Sequence, residues 1–187
     1  MARPIEYEID QVLDSAMTIF CEKGFEATSI RDLVKATGLT SRSLYNVFDS
    51  KEGLFKASIE KFRAEKASGL YEMLEEQRGK EALKSLFAML TPTERGNGCL
   101  MVNTLNECNN VNDSCLEVAQ NHIRKMERLL TTKLTEAKED NDFSGDCELT
   151  AKLFILVMQG GSVYSRDESN IPYIGPVYTE LLNTLGL

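Results

Sequence analysis

The chain has 187 residues, 42% of them hydrophobic, with 29 Asp+Glu against 21 Lys+Arg and one His, a formal charge of −8. That apolar share and length exclude a disordered chain and suffice for a real core in one large or two small domains, while acidity on this scale argues at face value against a nucleic-acid partner. The longest apolar run, Leu153–Met158, is far short of the ~20 residues of a membrane span; the opening residues hold no secretion-type apolar stretch; and five Cys without a CxxC pair argue against a disulfide framework or zinc finger, so a soluble, cytoplasmic protein with reduced thiols is expected.

No segment alternates with period two, and the expectation is an all-α fold. Ile9, Val12, Leu13, Ala16, Met17 and Phe20 repeat at helical spacing, and Gly24 closes that helix. Thr28 or Ser29 caps a short second helix with Ile30, Leu33 and Val34, which ends at Gly38. Thr40 or Ser41 starts another short helix through Phe48, and a long one runs from Lys51 into Glu72–Gln77. Gly79 separates it from an Ala82–Leu90 helix, and Thr91–Asn97 reads as a loop. Leu100–Glu107 is a short helix, Asn109–Asp113 a break, and Leu116, Ala119, Ile123, Met126, Leu130 and Leu134 mark a long amphipathic helix. After a polar loop at Lys138–Gly145, Asp146–Tyr164 is helical and apolar on almost every side, and Pro172 and Pro176 bracket the start of a last helix.

Residues 28–55 carry the most information. Two short helices meeting at a turn that contains Gly38 form a helix-turn-helix, a three-helix domain when the first helix is included. Ile30, Leu33, Val34, Leu44 and Phe48 suit the packed side, whereas Ser41, Arg42, Tyr45 and Asn46 offer the hydrogen-bonding groups a groove-reading helix needs. Arg42 suits guanine and Asn46 adenine. Ser29, Thr40 and Ser41 sit at helix N-termini that favour phosphate, and Lys51 adds an ammonium at another. Charge is uneven: residues 1–22 hold one basic and five acidic residues, residues 23–66 nine and six, and residues 67–187 eleven and eighteen. The small basic excess coincides with the helix-turn-helix.

The order Phe25-x-x-Thr28-Ser29-Ile30, Gly38-Leu39-Thr40, Leu44-Tyr45-x-x-Phe48 and Ser50-Lys51-Glu52-x-Leu54 resembles the N-terminal domain of TetR/AcrR-type transcriptional regulators over residues 9–56. The resemblance implies a homodimeric repressor with a DNA-binding domain at 1–50 and a helical ligand-binding and dimerisation domain at 51–187, in which 51–77 is the connecting helix. It implies a pseudo-palindromic double-stranded operator, released when a small-molecule effector binds. Thr28, Ser29, Thr40, Ser41, Arg42, Tyr45, Asn46 and Lys51 are the expected DNA contacts, with Tyr45 reaching the backbone through its hydroxyl.

The last two helices are the expected dimer interface. Leu149, Leu153, Leu156, Val157 and Val163 share one side of the first, Ala151, Phe154, Ile155 and Met158 lie on others, Gly160-Gly161 permits close approach, and Val177, Leu181 and Leu185 repeat on the second. The family's pocket among the middle helices would take Tyr71, Leu74, Phe87, Leu90, Cys99, Met101, Val102, Leu105, Ile123, Met126, Phe154 and Met158. Gly98-Cys99-Leu100 resembles a motif of the branch in which some members sense electrophiles or oxidants, so Cys99 is either a redox sensor beside a helix N-terminus or a small packing residue. Two rival readings are a cysteine-dependent enzyme, pairing Cys99 with His122, and a helix-turn-helix used for protein contacts. No third catalytic group is marked, and Cys108, Cys115 and His122 are seven apart, ~10.5 Å along a helix, too far to share one metal. No enzyme activity, cofactor, metal or membrane association is expected.

Overall fold

Caps and turn residues set the helix boundaries in the computed structural model, which describes residues 9–187. The early acidic count rested partly on Glu6 and Glu8, which with Arg3 and Pro4 lie outside the described residues. The helices are α1 (Ile9–Lys23), α2 (Ile30–Thr37), α3 (Ser41–Phe48), α4 (Lys51–Phe62), α5 (Ser68–Glu76), α6 (Gly79–Leu90), α7 (Leu100–Asn106), α8 (Asp113–Glu139), α9 (Cys147–Tyr164) and α10 (Ile171–Thr184). No strand occurs among the described residues. Ser29, Thr40, Ser50 and Asp146 cap α2, α3, α4 and α9 by accepting a backbone N–H, satisfying donors the first turn leaves open.

Three boundaries differ from the sequence reading. The long helix expected from Lys51 is interrupted by a π-helical turn, Arg63–Ala67, between α4 and α5. The α8 helix runs through Lys138 and Glu139, which the polar composition had assigned to a loop. Pro172 lies in the first turn of α10, while Pro176 lies inside it. The amide that Pro176 lacks would have reached the carbonyl of Pro172, at the helix start, so that proline is tolerated.

The chain divides into two compact units, one of residues up to Ala64 with Leu100–Ala119, the other of Glu65–Cys99 with Gln120–Leu187. The expected boundary after residue 50 cuts through the first unit, because α4 buries Leu54, Phe55 and Ile59 there. Phe20, Phe25 and Phe55 form its aromatic centre, with Phe20–Phe55 edge-to-face at 4.8 Å and Phe25–Phe55 at 4.9 Å. The return of residues 100–119 to this unit left no mark in local sequence.

The second unit is built around a broad apolar core. Leu74, Leu83, Leu86, Phe87, Leu130, Leu134 and Phe154 are almost wholly buried, and Phe87 packs edge-to-face on Phe154 at 5.0 Å. Glu136 of α8 accepts the Gly79 amide (2.8 Å) at the start of α6, and the buried Lys133 lies 3.0 Å from the same carboxylate. That ion pair is hydrogen-bonded to backbone as well, as a buried charge requires.

Candidate nucleic-acid interface

The turn between α2 and α3 forms as its residues demand. Gly38 takes φ 72° and its N–H returns to the Val34 carbonyl, a left-handed cap open to glycine at low cost. Leu33, Leu39 and Leu44 are buried behind it. Those anchors leave Thr40, Ser41, Arg42, Tyr45 and Asn46 exposed, Tyr45 at 44%. In an eight-residue helix, positions 41, 42, 45 and 46 fall on one side, opposite Leu44. This face has a cation, an amide, a phenol and a hydroxyl in water, a set able to pair with base edges and phosphates.

Three expected contacts have other positions. Thr28 is 1% exposed and its hydroxyl donates to the Gly24 carbonyl (2.5 Å), so its side chain holds the turn after α1 and is withdrawn from any outside ligand. The Ser29 hydroxyl caps α2 in a capping box: it accepts from the Asp32 amide (3.1 Å) and donates to the Asp32 carboxylate (2.6 Å). Lys23 lies 2.6 Å from the same carboxylate, and its hydrogen bond, with those of Ser29, holds Asp32 well below the usual carboxylate range. An anion therefore already sits where the sequence suggested a phosphate. Lys51 turns inward: its ammonium donates to the carbonyls of Phe25 (2.8 Å) and Thr28 (2.9 Å) and lies 4.2 Å from the Phe25 ring centre.

The number of available cations in this stretch is smaller than its composition suggests. Lys23 and Lys51 are engaged as described, and the largely buried Lys61 lies 3.4 Å from Asp14. Arg31, Lys35 and Arg42 keep exposed side chains.

Two features escaped the sequence reading. A Cβ on Gly53 would fall 2.0 Å from the Phe48 carbonyl oxygen, so only glycine lets α4 start this close to the end of α3. Asp49, between them, adopts φ 65°, uncommon for a residue with a side chain. The unnamed position within Ser50-Lys51-Glu52-x-Leu54 was the only hint of Gly53.

The second unit leaves a different face open. Leu149 and Leu156 of α9 are each 67% exposed, and Leu153, Val163, Tyr173 and Val177 are exposed with them. Ala151, Phe154 and Ile155 of the same helix are buried, dividing α9 as its all-round apolarity suggested. A groove of about 400 Å³ runs over Val157, Gly160, Tyr173 and Val177. Gly160 has open space around it; at Gly161 a Cβ would lie closer to the Tyr178 hydroxyl than atoms approach, so the second glycine serves the packing of α10 on α9 within the unit.

The expected effector-pocket residues separate. Tyr71, Leu74, Phe87, Met126 and Phe154 are buried in the second core, with Leu90, Ile123 and Met158 packed against it. Met101, Val102 and Leu105 belong to α7 and hence to the first unit. Phe87 also lines a groove of about 470 Å³ with Lys84, Tyr178 and Leu182. Cys99 is half-buried immediately before α7; Cys21 and Cys115 are buried, Cys147 half-buried and Cys108 exposed. Burial pushes the Cys115 thiol up. Nδ1 of His122 meets the Tyr71 hydroxyl at 2.5 Å, and desolvation lowers its pKa to about 4. Among the described residues no group of His, Cys, Asp and Glu could hold a metal ion, and no helix is long and apolar enough to cross a membrane.

Comparison with known proteins gives the same assignment from both parts of the chain. Residues 12–58 match the family described as bacterial regulatory proteins, tetR family, and residues 76–170 match the tetracyclin repressor-like C-terminal domain. The HTH-type transcriptional repressor ComR of Escherichia coli is 30% identical over 179 residues, covering 90% of this chain and 84% of that protein. A TetR-family regulator from Agrobacterium tumefaciens superposes with a TM-score of 0.84 at 18% identity, covering 94% of this chain and 96% of that one. A cysteine mutant of the TetR-family regulator CifR, complexed with 26-base-pair double-strand operator DNA, superposes at 0.83 with 22% identity, covering 98% and 100%.

Proposed function

The chain belongs to the TetR family of bacterial transcriptional regulators, and from that premise we propose that it represses transcription in the cytoplasm as a homodimer on a pseudo-palindromic operator. The observation that carries the DNA-reading part is the outward face of α3, where Arg42, Tyr45 and Asn46 stand exposed on a helix anchored by Leu44. Arg42 and Asn46 read base edges, Tyr45 bonds a phosphate or a base, and Thr40 and Ser41 receive a phosphate at the α3 N-terminus. Thr28, Ser29 and Lys51 shape the reading head from behind.

Dimerisation is supported by the exposed apolar face of α9 and α10, since uncovered apolar surface of this kind marks an interface. A two-fold pair of such faces would bring two reading heads to half-sites of one operator. A small molecule or electrophile acting on the second unit releases the operator by binding the released state more tightly than the DNA-bound state. The family acts through DNA binding rather than turnover, and His122, offered above as a base for Cys99, spends Nδ1 on Tyr71.

A mobility-shift titration tests the reading: the protein should hold its upstream intergenic DNA far more tightly than a scrambled duplex of equal length. Equal affinity for the two would remove sequence-specific reading, leaving the helix-turn-helix as a protein-contact module.

A further inference from the structure

The turn that joins α1 to α2, residues 24–28, decides where α2 begins and therefore where α3 is presented. Its carbonyls are tied by Lys51, as described, and Gly24 turns it with φ 81°. Its amides are tied from a distant part of the chain. The Glu107 carboxylate accepts from the Phe25 amide at 2.6 Å and from the Glu26 amide at 3.3 Å. It lies so close to Gly24 that a Cβ there would fall 2.6 Å from its Oε1, so a side chain at this left-handed position would also push the carboxylate aside.

One helical turn earlier, the buried Asn103 donates from Nδ2 to the Cys21 carbonyl at 2.8 Å and to the Phe20 carbonyl at 3.4 Å, near the end of α1. The two side chains stand four residues apart, and the Glu107 amide bonds the Asn103 carbonyl, so one helical segment presents both. Their chemistry is matched to what they meet. The Asn103 amide donates chiefly to the Cys21 carbonyl, beside a Phe20 carbonyl that already accepts the Gly24 amide, and the Glu107 carboxylate faces amides that precede the next helix. Both side chains are engaged with the turn: Asn103 is buried, and each carboxylate oxygen of Glu107 accepts a turn amide.

We propose that Asn103 and Glu107 are positioning residues for operator reading: they fix the turn between α1 and α2, and through it the placement of the α2–α3 pair, without touching DNA. Sequence-specific contacts depend on geometry held to fractions of an ångström, whereas non-specific attraction to phosphates does not. Loosening the latch should therefore cost preference for the right sequence more than affinity for any sequence.

The test uses the full chain and a duplex enriched by the wild-type protein from a random-sequence pool, with its scrambled counterpart as reference. Glu107→Ala and Asn103→Leu should each bind the enriched duplex at least ten-fold more weakly and the scrambled one within about two-fold of wild type, at a temperature where circular dichroism shows all proteins folded. Hydrogen exchange at the Phe25 and Glu26 amides should accelerate in Glu107→Ala. Glu107→Gln, which keeps an acceptor oxygen in place, should recover most of the preference. Should Glu107→Ala fail to fold, Glu107→Asp decides: it keeps the charge and shortens the reach, and lost preference supports the latch while wild-type preference overturns it. Folded variants that keep the wild-type ratio between the two duplexes overturn the proposal. A wild-type protein that enriches no sequence overturns operator reading itself, and the positioning role with it.

Discussion

The two units leave open faces of opposite chemistry. In the first, α3 exposes Ser41, Arg42, Tyr45 and Asn46; in the second, α9 and α10 expose Leu149, Leu156, Val163, Tyr173 and Val177. Their interiors contrast as well. The first sets an aromatic trio among side-chain-to-backbone hydrogen bonds from Lys51, Asn103 and Glu107, whereas the second relies on a broad aliphatic and aromatic core. A polar face can stay in water until DNA arrives, because water satisfies it. An apolar face of this extent is stable only when covered. On the function proposed above, the contrast separates an intermittent partner, DNA, from a standing one, a second copy of the chain.

The hardest blow to that distinction would come from α9. Leu149→Arg combined with Leu156→Arg places charges at two exposed positions, so folding should survive and association should not. Sedimentation should report a monomer, and operator affinity should fall ~100-fold or more as binding through two linked half-sites is lost. An unchanged dimer would show that the apolar face is not the interface.

Acid should distinguish the interiors. The only His in the chain, His122, lies in the second unit, where Tyr71 bonds it and Lys125 and Glu75 pair beside it. Its pKa is lowered from 6.5 to about 4 by desolvation, so the fold favours the neutral ring. Its contribution is complete above pH 6.5 and is lost as pH falls toward 4, about 2 kcal/mol at pH 5. Urea unfolding at pH 7.5 and 5 should show that loss in wild type and a smaller one in His122→Gln. Equal losses would mean the ring is already hydrated.

Arg42→Ala probes the reading face alone. It should cost ~1–3 kcal/mol at one operator position and relax preference there, with no change in melting temperature, since the side chain is exposed. Uniform weakening on every sequence would make Arg42 a phosphate contact. Lys51→Ala should differ by lowering thermal stability, because it removes the ammonium that bonds the Phe25 and Thr28 carbonyls.

The smallest effect concerns the thiols. Mild alkylation followed by peptide mapping should modify Cys108 first, Cys99 and Cys147 next, and Cys21 and Cys115 last, following exposure. If Cys99 overtakes Cys108, its surroundings activate it, and operator release by an electrophile should then fail in Cys99→Ser. Unchanged release in that variant would leave Cys99 a packing residue.

The helix-turn-helix was legible because its signals are local: Gly38 for a left-handed turn, Thr28 or Ser29 and Thr40 or Ser41 for caps, of which the structure uses Ser29 and Thr40, and Leu33 and Leu44 for the anchored side. The split of α9 into a buried and an exposed side was legible for the same reason, since helical spacing assigns faces residue by residue. The overall charge of −8 misled only until it was resolved along the chain. Even the resolved basic excess overstated the free cations, because composition cannot show that Lys23, Lys51 and Lys61 have internal partners.

What the sequence determined by itself, then, is the helical order, the reading helix and the two kinds of face, all written in spacings shorter than about eight residues. The tertiary structure alone decided which side chains on those elements are available. It buried Thr28, turned Lys51 inward, required glycine at position 53 and returned α7 to the first unit with Asn103 and Glu107 against a turn some 80 residues earlier. These outcomes depend on which backbone groups are left without a partner once distant helices meet, and no local pattern of residue types records that.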